Sequence, residues 1–230
     1  MSFLAHRLRS AGGGGGWLTY IGAGHLIAAP NGDVDVPVPA HEAGDLLLAR
    51  FLTRDNGGQA WSPTEAGWTE LFSGKSAGNP SDIPTDPGIF WRIAGGGEPA
   101  SYKFTYAGGK NPDGGAIFAF RGATSASFVE GEMVSGTNGI DLQSAAIAPP
   151  AGSVPIAFGG VYFNAGFPAE TLTLAGDAEA GVRLFGVVDA SVSRLALVAQ
   201  QLTDADTSVA ASTGGIISTN FAITIVYLQK

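Results

Sequence analysis

From Trp17 onward, short runs rich in Val, Ile, Phe, Tyr and Thr recur between clusters of Gly, Pro, Asn and Asp, and helical spacing is never sustained. That texture predicts strands and turns. The predicted strands are Leu18–Ala28, Asp33–Val38, Asp45–Thr53, Trp68–Ser73, Ile89–Ile93, Ser101–Tyr106, Ala116–Arg121, Ser127–Val134, Ser153–Phe163, Thr171–Ala175, Gly181–Val188, Arg194–Leu202, Ser208–Ser212 and Phe221–Leu228. So many short strands predict an all-β protein, an antiparallel β-sandwich of jelly-roll-like type.

A faint internal echo recurs at an offset of about 105 residues. Ala43-Gly44-Asp45-Leu46-Leu47-Leu48-Ala49 answers to Ala151-Gly152-Ser153-Val154-Pro155-Ile156-Ala157. Ile89–Ala94 answers to Leu195–Gln200, and Ala116–Phe120 to Ala222–Val226, in the same order. Two similar strand sets, about 34–135 and 140–230, can then close face to face in a single sandwich domain over 17–230. Residues 1–16 read as an arm: a short amphipathic or extended segment followed by Gly12–Gly16, a joint without a preferred backbone conformation.

Composition sharpens this. Hydrophobic residues make up 45% and charged residues 14%, with 35 glycines, which provides a core and many turns but little charged surface. There is no cysteine, so neither disulfides nor thiolate metal sites hold the fold. A net charge of -8 argues against a surface that neutralises phosphates, so nucleic acid is not an expected partner. No apolar run reaches the roughly 18 to 20 residues of a spanning helix. Met1–Ser10 leads into glycines instead of a signal-peptide core, so the sequence predicts synthesis in the cytosol and no membrane insertion.

Motifs of chemistry fall short one by one. Gly74-Lys75-Ser76 imitates the end of a phosphate-binding loop, but Thr69 stands where that loop needs its first glycine. Asn31, Asp33, Asp35 and Glu42 fit four positions of a calcium-loop register, yet Val36 occupies the position that requires glycine. His6, His25 and His41 lack metal-ligand spacing, and Asp204 and Asp206 suit a hairpin tip. No serine sits in a nucleophile elbow. The sequence therefore assigns no catalytic residue, no cofactor and no metal ligand.

Aromatic residues concentrate in the first half. Alternation in Tyr102-Lys103-Phe104-Thr105-Tyr106 puts three rings on one sheet face, the signature of a core or an interface. Trp61 and Trp68, if exposed at loop tips, are the candidates for stacking against the apolar face of a sugar.

Pro39-Ala40, Gly44-Asp45-Leu46-Leu47-Leu48, Gly67-Trp68-Thr69, Trp91-Arg92-Ile93-Ala94, Gly97-Glu98-Pro99, Tyr102-Lys103-Phe104-Thr105 and Arg121-Gly122-Ala123 follow one another along residues 34–123. In that succession the chain resembles β-sandwich structural proteins of tailed-phage and gene-transfer-agent particles. The second half shares only the strand-and-turn texture.

The resemblance implies a non-enzymatic virion structural protein, made in the host cytoplasm and attached to the particle as a capsid decoration or head-spike component. A tail-appendage module that binds surface carbohydrate is the alternative it implies. Its expected partners are other virion proteins of capsid or tail, and copies of itself in a homo-oligomer. Within the arm, Phe3, Leu4, Arg7, Leu8 and Arg9 are the residues expected to dock onto the particle.

Overall fold

A computed structural model describes residues 6–8, 18–27, 33–53, 59–74, 87–107, 114–128, 134–136, 141–143, 147–162, 173–176, 182–189, 195–202, 207–212 and 220–230. These residues form four antiparallel sheets. The first large sheet runs, in spatial order, β1 (His6–Leu8), β2 (Leu18–Ile27), β9 (Gly114–Arg121), β4 (Leu46–Leu52), β7 (Gly88–Ile93) and β6 (Thr69–Ser73). The first small sheet is β3 (Asp33–Pro37), β8 (Ser101–Tyr106) and β5 (Trp61–Pro63).

The second half repeats the plan. Its large sheet runs β10 (Ser125–Phe128), β18 (Asn220–Gln229), β13 (Val154–Tyr162), β16 (Leu195–Gln201) and β15 (Val182–Asp189), and β11 (Val134–Gly136) also pairs with β18. Its small sheet is β12 (Asp141–Gln143), β17 (Val209–Ser212) and β14 (Thr173–Gly176). The order β9-β4-β7-β6 over β3-β8-β5 thus recurs as β18-β13-β16-β15 over β12-β17-β14. The antiparallel β-sandwich predicted from the sequence is present, and its plan occurs twice.

Register makes the repeat residue-specific and shifts the last pair of the sequence echo by two positions, so that Ala116 answers to Thr224 and not to Ala222. Leu46 pairs with Phe120 and Arg50 with Ala116, while Val154 pairs with Leu228 and Phe158 with Thr224. Gly44 and Gly152, just before β4 and β13, both take positive φ, 92° and 78°. Each turn then closes in the same way, with Asp45 N–H donating to Glu42 O at 3.1 Å and Ser153 N–H to Pro150 O at 3.0 Å.

The two large sheets close face to face over one core, and each strand set adds a small sheet of its own. The reason lies in β4, every residue of which is buried. Leu46 and Leu48 pack toward the second half, in a core with Phe118, Phe120, Val154, Ile156, Phe158, Val226 and Leu228. Leu47, Ala49 and Phe51 pack the other way, with Val34, Val36, Trp61, Phe90, Tyr102, Phe104 and Tyr106. A strand covered on both faces shows an apolar run instead of alternation, so its second partner is invisible in the pattern. The first small sheet is covered on one face only, and there the alternation is clean in β3 and β8.

Strands β1, β5 and β12 escape the sequence reading because three residues are too few for a period. The predicted strand Ser127–Val134 corresponds to β10 and β11, and residues 129–133 between them lie outside the described set.

Candidate functional site

The motif residues of the first half gather at one end of the first sandwich. Antiparallel pairing places the start of β4, the end of β7, the end of β9 and the start of β6 at that end. Gly44, at φ 92°, turns the chain into β4 and presents Asp45, which is 2% exposed. The Asp45 carboxylate accepts from Glu42 N–H at 2.8 Å and from Arg121 Nε and Nη2, both at 3.0 Å. Arg121 also pairs with Glu42 at 3.2 Å. Burial pushes the Asp45 carboxyl up, but the Arg121 hydrogen bonds, the Glu42 amide and the charges of Arg121 and His41 outweigh it and hold the group below its usual value.

A second cluster lies beside it. Gly67, at φ 95°, turns against the Arg92 guanidinium, to which an added Cβ would come within 3.5 Å. Arg92 Cζ sits 5.0 Å from the Tyr102 ring centre and 5.7 Å from that of Trp68. Both distances suit a cation held on aromatic faces. Arg92 Nη2 lies 3.5 Å from Glu98 Oε1, and that oxygen accepts from Gly95 N–H at 2.5 Å. Trp68 meets Tyr102 edge-on at 5.1 Å and Phe104 at 5.2 Å. These contacts tie turns to strand ends, while the buried Trp68 Nε1 and Arg92 Nε have no hydrogen-bond partner among the described residues.

The glycan candidates separate. Trp61 is 1% exposed, stacked on Phe51 at 4.9 Å and tilted on Tyr106 at 5.1 Å. A ring closed off in this way has no face to offer a sugar, so the expected loop-tip role of Trp61 is corrected to core packing. Trp68 is half-buried and occupied by Arg92, Tyr102 and Phe104.

Of the arm residues, Arg7 and Leu8 belong to β1, which pairs with the chain's own β2 in the register Arg7↔Thr19 and Leu8↔Leu18. Phe3, Leu4 and Arg9 lie outside the described residues. The calcium-register residues diverge. Asp33 pairs with Lys103 at 2.7 Å, Asp35 is exposed on β3, Glu42 turns to Arg121, and Asn31 is outside the described set. Among the described residues no group of three or more His, Cys, Asp or Glu could hold a metal ion. His41 Nδ1 lies 2.8 Å from Pro39 O, and His25 is exposed on β2.

One buried charge was not anticipated. Arg50, inside the apolar run of β4, is 2% exposed and faces the second half. Its Nε donates to Thr224 Oγ1 at 3.1 Å, its Nη1 donates to Phe51 O, and its Nη2 has no partner among the described residues. Burial lowers its pKa to about 9. An arginine in the run Leu46–Leu52 was the only available signal, and its neighbours gave no reason to single it out.

Fold and site together define an all-β protein of two stacked antiparallel β-sandwiches, with its distinctive residues in structural clusters. No protein family, curated protein or solved structure matches the chain. Among the described residues no helix is long and apolar enough to cross a membrane.

Proposed function

We propose that this chain is a non-enzymatic structural component of a tailed-phage-like particle, carried on the surface as a capsid decoration or head-spike protein. One observation carries the reading. The motif residues that resemble particle sandwich proteins, namely Asp45, Trp68, Arg92, Glu98, Tyr102 and Arg121, bond chiefly to one another at one end of the first sandwich. Residues whose contacts hold strand ends together serve a scaffold, and function lives in sites grafted onto a fold. What the resemblance transfers is therefore an architecture.

The test is immunogold labelling, together with quantitative mass spectrometry, of density-purified particles from the producing cells. The reading expects the chain at a fixed, symmetry-compatible copy number per particle, with gold on the head. Gold on the tail tip replaces the decoration role with a tail appendage and makes glycan binding the next assay. Absence from purified particles overturns the proposal.

A further inference from the structure

The two large sheets meet in a particular way. β15 of the second half lies over β2 of the first, and β10 of the second lies over β6 and β7 of the first. In the repeated plan β15 occupies the place of β6, and β10 occupies that of β2. The two edge contacts are therefore one contact seen twice, as across a two-fold axis. In such an isologous interface residue i meets j and j meets i.

Residues at equivalent places on the two faces are mostly apolar on both sides: Leu46 with Val154, Leu48 with Ile156, Phe120 with Leu228. Two places break the match. Leu52 and Gly160 are equivalents of one another, and they touch: a Cβ on Gly160 would collide with Cδ1 of Leu52. A residue that meets its own equivalent lies near the axis. There the first half supplies a knob and the second a hole. At the other place Arg50, equivalent to Phe158, reaches Thr224, equivalent to Ala116, at 3.1 Å.

We infer that the buried face between the halves is a two-fold pairing surface whose partner is a copy of the same sandwich, made selective for unlike halves by Leu52 against Gly160 and Arg50 against Thr224. Pairing two first halves would set Leu52 against Leu52 at the axis and bury two unpaired arginines. Pairing two second halves would leave the Gly160 hole empty on both sides. Only the unlike pair fills the axis and gives Arg50 a hydroxyl. The surface thus belongs to association of the chain with itself, now satisfied within one chain.

The experiment exchanges residues across the axis in the full chain. Leu52→Gly alone leaves a cavity and Gly160→Leu alone forces a clash, each expected to lower the thermal midpoint by more than about 10 °C or to prevent folding. The double variant Leu52→Gly/Gly160→Leu reverses knob and hole and is expected to recover at least half of the larger loss. A second variant moves the polar pair to its mate position: Arg50→Phe, Thr224→Ala, Ala116→Thr and Phe158→Arg together. It is expected to fold with a cooperative transition, whereas Phe158→Arg alone does not. A double variant no more stable than the worse single, or a fourfold variant no better folded than Phe158→Arg, overturns the inference.

Discussion

Asp45 and Arg121, 76 positions apart in sequence, meet in a two-pronged ion pair with both nitrogen-to-oxygen distances at 3.0 Å. The pair joins the first turn of β4 to the last residue of β9, which are neighbours in the first large sheet. Its carboxylate is buried and its guanidinium is partly exposed.

Arg121→Met should therefore destabilise the fold by about 1–2 kcal/mol, the low end for a charged hydrogen-bonded pair because solvent screens Arg121. Asp45 is held below its usual value of 3.8, so the stabilisation is complete above that pH and is lost as pH falls through the lower folded value. Urea titrations of parent and variant should differ at pH 6 and converge toward pH 2. A gap that stays constant with pH would refute the assignment to Asp45.

Tyr20 supplies the opposite limb. Burial beside Phe120 raises its hydroxyl pKa from 10.0 to about 12. A raised folded value means stability that is complete below pH 10 and lost as pH rises toward 12, on the order of 2–3 kcal/mol over the window. Tyr20→Phe should remove that slope, measured as stability against pH between 9 and 12. An unchanged alkaline slope would mean that other groups carry it.

Arg50→Met tests whether a buried charge stabilises. Its guanidinium has lost its water and gained one hydroxyl and one carbonyl. Replacing a buried polar group by an apolar side chain of similar length is often neutral or stabilising, so the change should lie between about zero and a gain of 2 kcal/mol. A loss above that size would show that the Thr224 contact is worth more than the desolvation it requires.

Gly24 faces the first small sheet, where a Cβ would run into the carbonyl oxygen of Pro37. A backbone atom cannot rotate away, so Gly24→Ala should cost more than about 2 kcal/mol by guanidinium denaturation, well beyond the effect of an ordinary surface change. Gly97→Ala, with open space around its Cβ position, is the control and should stay within about 0.5 kcal/mol. Equal effects would show that the two sheets yield at β3.

Trp68→Ala separates packing from recognition. The ring fills the space between Arg92, Tyr102 and Phe104, and its loss should cost about 3 kcal/mol. On a glycan array the variant should match the parent at a temperature where both are folded. Loss of a specific sugar signal in a fully folded variant would assign Trp68 to binding instead.

The sequence by itself determined the class of fold, the position of most strands and the order of the two strand sets. Strand period, turn residues and β-branched content are local, and the turns at Gly44 and Gly152 repeat their sequence context as well as their geometry. Tertiary structure alone decided how the sheets stack. A run such as Leu46–Leu52 says that both faces of β4 are covered but not by what, because burial is nondirectional. It also decided that Trp61 lies inside, that Asp45 finds Arg121, and that Leu52 fills the space left by Gly160, since each pairing is set by how distant strands approach.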